Sequence, residues 1–441
     1  MNLKISPLTM GLNGEITTPG SKSYSHRAFI AAGLANGISI IKNPLTSGDV
    51  RITMNILESL GVKIYKKNEN TYIVNSNKIK FSKVKKILDC RNSGTSIRIF
   101  SALSLLIKGG LILTGEFLKL KRPIMPLLNA LKQLGGKFKL SDETLTIRRK
   151  GFSCNKVKIR GDISSQFITA LLMICPLLIC KNKEYIELEL ITPLVSKPFI
   201  DITLDVLNSF GISIQENYEN NKFYISNKQS YRTQSYTIPG DFSSAAFIIA
   251  AAVLSFKQSK IKINNLSLTN SQGDKKIIEI LLEMGAHIVQ SETLNHIIIE
   301  CNREKYPLNG IEVDCSDIPD LFPILAVIGV FAKEKTVLYN ISHLRTKESD
   351  RIKSMTQELR KMGVKLIEDN DKLTIFQCEK LKGIYINHNS DHRIAMACSI
   401  AALYATTNSY IKNSEIVNDS YPFFFKDLKE LGAVIEEDFD K

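Results

Sequence analysis

Six times along the chain a short strand-like stretch ends in small polar residues, and an apolar helix-like run follows. The junctions are Pro19-Gly-Ser-Lys-Ser-Tyr-Ser-His-Arg, Cys90-Arg-Asn-Ser-Gly-Thr-Ser, Arg160-Gly-Asp-Ile-Ser-Ser-Gln, Pro239-Gly-Asp-Phe-Ser-Ser, Asp314-Cys-Ser-Asp-Ile-Pro-Asp and His388-Asn-Ser-Asp-His-Arg. A second marker runs in phase: a helix-like segment closes on glycine at Gly61, Gly135, Gly211, Gly285, Gly363 and Gly432. Both markers recur roughly every 70–80 residues, too long for a solenoid repeat and suited to a small βαβαββ subdomain. The pattern predicts an α/β (α+β) protein with six such repeats, three in each of two domains. Six helix starts rich in hydroxyls and free backbone N–H groups favour bound anions. The expected ligand is small and carries several negative charges.

The 441 residues suffice for two domains of about 200 residues each, and no Gly/Ser- or Pro-rich linker separates them. The repeats therefore place the boundaries, with chain crossings near Pro19 and Pro239. Charge adds one question. Lys and Arg number 58 against 44 Asp and Glu, a net +14, which suits nucleic acid or an anionic substrate. The lysines are scattered and no aromatics interleave with them as a base-stacking pattern requires, so a nucleic-acid partner is not expected. The eight cysteines, Cys154 and Cys180 among them, contain no Cys-x-x-Cys and fall mostly in apolar stretches. They read as free thiols in a reducing cytoplasm, with no metal site. The longest uncharged apolar run, Phe167 to Cys180, is too short to span a membrane and contains Pro176. It predicts a buried helix.

The junctions carry the candidate chemistry. In the first, Gly20 permits a tight turn, Lys22 brings a point charge, Ser23 can cap, and Arg27 lies one turn into the helix. In the second, Gly94 allows close backbone approach and Thr95 is a candidate cap. The third sets Ser164, Ser165 and Gln166 at a helix entrance, suited to a phosphate monoester. Arg122, Arg351 and Arg393 offer planar forks that match carboxylates and phosphates. Arg393 opens a helix, where a cation opposes the macrodipole, so something beyond helix stability favours it. Asp320, just before an apolar run at 321–332, is a candidate cap or general base. Lys347 and Glu348 lie in a segment thick with charge.

Taken in order, these segments resemble the enolpyruvyl transferases, the 5-enolpyruvylshikimate-3-phosphate (EPSP) synthases in particular. The resemblance covers essentially the whole chain. It rests on Pro19-Gly-Ser-Lys-Ser with Arg27, Asn92-x-Gly-Thr, Lys121-Arg-Pro-Ile, Asp162-Ile-Ser-Ser-Gln, Leu194-Val-Ser-Lys-Pro, Ile318-Pro-Asp, Lys347-Glu-Ser-Asp-Arg and Asp391-His-Arg. It implies two three-repeat domains, residues 20–239 and residues 1–19 plus 240–441, with the active site in the cleft between them. It also implies transfer of the enolpyruvyl group of phosphoenolpyruvate to the 5-hydroxyl of shikimate 3-phosphate, a step of chorismate and aromatic amino-acid biosynthesis, with no metal or organic cofactor. A cytoplasmic monomer is expected.

By position the resemblance assigns Ser164, Ser165 and Ser196 to the shikimate phosphate, with Gln166 and Lys22 nearby. Ser23, Arg27, Asp320, His343 and Lys347 fall to the ring side. Lys22, Asn92, Gly94, Arg122 and Gln166 would surround the phosphate of phosphoenolpyruvate, and Arg351 and Arg393 would clamp its carboxylate. Asp320 would be the base for the attacking hydroxyl, Glu348 the group that gives and then removes the methylene proton, and Lys22 an aid to proton transfer. Three positions depart from the family. Asp419 stands where many relatives carry a phosphate-binding lysine, unless Lys426 reaches in; His343 replaces an asparagine and Phe199 a tyrosine. Asp419 keeps a degenerate, inactive synthase open as an alternative. UDP-N-acetylglucosamine enolpyruvyl transferase is another, although Lys108 to Pro126 lacks the cysteine expected of it.

Overall fold

The computed structural model describes residues 1–77, 87–151, 153, 156–180, 183–291 and 295–438. The repeated pattern becomes six four-stranded sheets of one design. In the Ile87–Arg149 repeat, Ile87–Asp89 pairs parallel with Leu111–Thr114, which pairs antiparallel with Thr144–Arg149, itself in a hairpin with Gly136–Leu140. A helix follows each of the first two strands, Gly94–Leu103 and then Met125–Gln133. This is the βαβαββ unit the spacing predicts.

The chain separates into two compact units, Met1–Ser21 with Pro239–Lys441, and Lys22–Ile238. Each borrows strands from a sequence-distant end. Ser235–Thr237 lies parallel to Asn36–Lys42 and completes the first sheet of the Lys22–Ile238 unit. In the other unit Asn13–Thr17 joins Ser259–Asn264, and Leu3–Ile5 fills the sixth sheet between Ser409–Ile411 and Ile435–Glu437.

Helix composition dictates the layering. Phe322–Phe331 and Phe242–Val253 are apolar on every side, and every residue of both is buried. A helix with no polar face has nowhere to go but the core, and each large aliphatic or aromatic side chain so placed contributes about 1.5–3 kcal/mol. In the Pro239–Lys441 unit these two helices and His392–Leu403 pack on one another within a single hydrophobic core. The apolar run from Phe167 is buried as expected, as the helix Ser165–Ile174 followed by a 3-10 turn at Cys175–Leu177 that carries Pro176. The second, amphipathic helix of each repeat ends on the in-phase glycine. All six glycines are left-handed, with φ from 81° at Gly211 to 108° at Gly432; a β-carbon is disfavoured there, so glycine stops the helix.

Two local expectations change. The cap of the Gly94 helix is Ser93, whose side chain accepts from the Ser96 N–H, while Thr95 lies inside the first turn. The cysteines are not all free: Cys180 is disulfide-bonded, while Cys90, Cys175, Cys301, Cys315, Cys378 and Cys398 are thiols. Cys154 lies outside the described residues.

Candidate active site

The Lys22–Ile238 unit gathers helix starts from its three repeats. Lys22 and Ser23 open the helix Lys22–Leu34. The Lys22 ammonium meets Asp49 at 3.1 Å, with both side chains largely buried. Arg27 is fully internal. Its Nε donates to Thr203 Oγ1, Nη1 to the Ser23 carbonyl, and Nη2 to Thr169 Oγ1 and the Phe199 carbonyl, at 2.8–3.2 Å. Burial lowers its pKa to about 10. Arg27 therefore ties the Lys22 helix to the Ser165–Ile174 and Pro198–Ser209 helices and fixes the Ser23 backbone.

In the second repeat, Arg122 Nη1 donates to the Asn92 carbonyl and side-chain oxygens at 2.7 and 2.9 Å, and its guanidinium stacks on Phe117. Gln166 accepts from Arg98 Nη1 at 2.5 Å and donates to Thr95 Oγ1 at 3.1 Å. Gly94 lies under this group. A β-carbon there would come within 3.3 Å of Arg122 Nη2 and Gln166 Oε1 and within 3.0 Å of Arg98 Nη1. Ser164 caps the third helix start, accepting from the Gln166 N–H, with Ser165 beside it. Ser196 has φ +57°, unusual for serine, and its buried Oγ has no partner among the described residues. A strained residue holding an unsatisfied hydroxyl is a mark of a ligand position. Arg98 was not a sequence candidate; its place on an otherwise buried helix, at Ile97-Arg-Ile, was the available signal.

The other unit holds the acids, and Arg351 organises them. This arginine opens the helix Arg351–Lys361 and is 1% exposed. Its Nε pairs with Asp391 at 2.9 Å, Nη1 with Asp320 at 2.8 Å, and Nη2 with Glu348 at 2.9 Å. Arg393 Nη2 takes the second oxygen of Asp320 at 2.8 Å. Asp391 caps the His392–Leu403 helix through the Arg393 N–H. That cap and the Asp320 pair compensate the cation that the helix start disfavours. Asp320 caps nothing: burial pushes its pKa up, but Arg393 and Arg351 outweigh burial and hold it below the usual carboxylate range. His343 is buried, and burial first, then Lys347 and Arg351, push it down to about 3, so it is neutral. Its Nε2 has no partner among the described residues. Lys347 is half-buried beside Glu348.

The departures from the family also find places. Asp419 ends the short helix Ser414–Asp419. Lys426 does not replace the missing lysine; it is exposed and meets Glu430 at 3.5 Å. The Phe199 carbonyl serves Arg27. Among the described residues no group of three or more His, Cys, Asp or Glu could hold a metal ion, and no helix is long and apolar enough to cross a membrane.

Repeated helix starts lined with cations and hydroxyls, with a carboxylate pair held on one arginine, define an enzyme of the enolpyruvyl transferase fold. Two solved structures share it over 99% of this chain, each with a TM-score of 0.79: the EPSP synthase of Acinetobacter baumannii, at 24% identity and 99% of its own chain, and the enolpyruvyl transferase NikO of Streptomyces tendae, at 17% and 98%. At such identities the likeness speaks for the fold. The sequence goes further. The chain belongs to the EPSP synthase (3-phosphoshikimate 1-carboxyvinyltransferase) family, whose model matches residues 9–428, and is by family a transferase. The 3-phosphoshikimate 1-carboxyvinyltransferase of Methanocaldococcus jannaschii is 45% identical over 99% of this chain and 100% of its own length; that of Clostridium novyi is 38% identical over 99% and 98%. These relatives do not favour the UDP-N-acetylglucosamine alternative.

Proposed function

We propose that the chain joins the enolpyruvyl group of phosphoenolpyruvate to the 5-hydroxyl of shikimate 3-phosphate and releases phosphate. The observation that carries this is the Arg351 hub. It holds a candidate base, Asp320, and a candidate reversible acid, Glu348, on one guanidinium. The addition needs one group of each kind. Glu348 gives a proton to the methylene carbon, and the resulting cationic centre takes the 5-hydroxyl oxygen while Asp320 accepts the hydroxyl proton. Glu348 then removes a methyl proton as the carbon–oxygen bond to phosphate breaks and the double bond returns. Lys22, Arg122 and the backbone at Gly94 stabilise the phosphate leaving group.

Asp320 is ionised but, between two arginines, a weak base. A substrate carboxylate arriving at Arg393 or Arg351 would offset their charge and strengthen Asp320 as the reaction begins. Ser164, Ser165 and the open hydroxyl of Ser196 suit the shikimate phosphate, and neutral His343 suits a ring hydroxyl. Arg27 fixes Ser23 with four of its five N–H groups bonded internally. The expected working form is a monomer in the cytoplasm.

The deciding experiment is phosphate release from phosphoenolpyruvate with and without shikimate 3-phosphate. Release that needs both substrates supports the reading and means Asp419 is tolerated; none from a folded sample would leave the fold with a degenerate site. A finer check is Gly94→Ala. Its methyl would crowd Arg122, Gln166 and Arg98, so the KM for phosphoenolpyruvate is expected to rise about tenfold, equivalent to about 1.4 kcal/mol. The KM for shikimate 3-phosphate should change less. Equal rises in both would mean that Gly94 does not line the phosphoenolpyruvate subsite.

A further inference from the structure

One buried carboxylate has no role so far. Asp274 lies in the one-turn helix Gly273–Lys275 and is 3% exposed. Its Oδ2 accepts a 2.5 Å hydrogen bond from Ser243 Oγ, while its buried Oδ1 has no hydrogen-bond partner among the described residues. The turn is pinned to the start of the Phe242–Val253 helix. Gln272 Oε1 accepts from the Phe242 N–H at 3.0 Å, and Nε2 donates to the Gly240 carbonyl at 2.7 Å. Arg393 has a matching gap: Nη2 is taken by Asp320, and buried Nη1 has no partner among the described residues. Asp274 is within electrostatic reach of Arg393 and Asp320, and of Asp241, the cap of the Phe242 helix. Arg393 thus pairs with Asp320 and lies within electrostatic reach of two buried acids, Asp274 and Asp241. Buried polar atoms are nearly always satisfied, so an open donor and an open acceptor in one acid-lined cluster call for a partner or a proton.

We propose that Asp274 is a positioning residue for the donor substrate: as a neutral acid it leaves the charge of Arg393 to Asp320 and the incoming substrate carboxylate, and as a carboxylate it competes with that substrate for Arg393. This rests on the functional reading above. The sequence gives little sign of it, because an acid two residues before the Lys276–Glu283 helix reads as an ordinary N-terminal charge. Burial above all, then the charge of Asp320, push the Asp274 carboxyl up to about 7, against the opposing pull of Arg393 and Ser243. Asp320 beneath the same arginine is held low. Neighbouring acids driven apart by their surroundings divide the work between them. The other titratable groups on the elements packed here are Lys275, Lys276, Glu279, Glu283, Cys315, His392 and Cys398. All persist in Asp274→Asn, so a difference between the two proteins reports on Asp274.

The test is the KM for phosphoenolpyruvate from about pH 6 to about pH 9 in wild type and Asp274→Asn, taken as a ratio so that titration of the substrate itself cancels. The ratio is expected near unity at the acid end, with the wild-type KM rising on the order of tenfold above the variant at the alkaline end. A ratio independent of pH overturns the proposal, since a merely structural acid gives a constant offset. Ser243→Ala keeps the carboxyl but removes a hydrogen bond that favours its ionised form. The rise should then move to higher pH, and an unmoved rise counts against the proposal. If Asp274→Asn fails to fold, the Ser243→Ala profile decides. Calorimetric titration of phosphoenolpyruvate in the presence of shikimate 3-phosphate reads the same competition without turnover. A chain that binds with the expected pH dependence but releases no phosphate would refute the functional reading and keep the role of Asp274.

Discussion

Glu348→Gln is expected to lower turnover by about 10²-fold or more, the usual cost of deleting a general acid–base group. The amide is nearly isosteric, and its oxygen can still accept from Arg351 Nη2, which now sits 2.9 Å from the carboxylate. The hub should therefore survive, and with it most of the affinity for both substrates. What the amide cannot do is give a proton to the methylene carbon and take one back, so both halves of the reaction slow together. Steady-state phosphate release, with each KM measured separately, checks this. A kcat near the wild-type value would remove Glu348 from the mechanism. A raised KM with unchanged kcat would recast it as a binding residue.

Arg351→Ala should be the most damaging single change to stability. It takes the shared cation from Asp320, Glu348 and Asp391, and Asp391 is completely buried. Removing one partner of a buried ion pair costs about 3–5 kcal/mol, because the charge left behind is uncompensated. The loss has a pH signature. In the wild type the Asp320 pKa is lowered by folding, so its stabilisation is complete above the unfolded carboxylate value of about 4 and is lost as the pH falls through the folded value. Without Arg351, burial is opposed mainly by Arg393, and the folded pKa rises. The deficit relative to wild type should be largest near neutral pH and shrink in acid, where the raised carboxyl of the variant is protonated and no longer an uncompensated charge. Denaturant unfolding at about pH 7 and about pH 4 measures it. Equal deficits at the two values would mean that the arginine acts through packing alone.

The parts of this protein that were legible in its sequence are those governed by neighbours along the chain. Helix starts, apolar runs and terminating glycines are local signals, so six repeats could be recognised before any pairing was known. The residue clusters at 22–27, 92–94, 164–166, 347–351 and 391–393 were visible for the same reason. Several assignments changed once the chain was folded. Arg27 proves to tie three helices together, with four of its five N–H groups on Thr203, Thr169 and two carbonyls. Thr95 yields the cap to Ser93, because a one-residue shift of the helix start decides which hydroxyl reaches a free N–H. Cys180 is bonded rather than free. Asp274 passed unnoticed because nothing near it in sequence signals burial.

By itself, then, the chain's order of residues determined the repeat number, the apolar helices, the anion-favouring helix starts and the family. Only the tertiary structure decided which charges meet. Arg351 reaches Asp320 and Asp391 across 31 and 40 positions, and Arg393 shares Asp320 with it. The physical reason is range. Capping and periodicity act within a turn or two of helix, whereas a buried ion pair forms only where packed helices bring distant side chains to about 3 Å and exclude the water that would otherwise screen them.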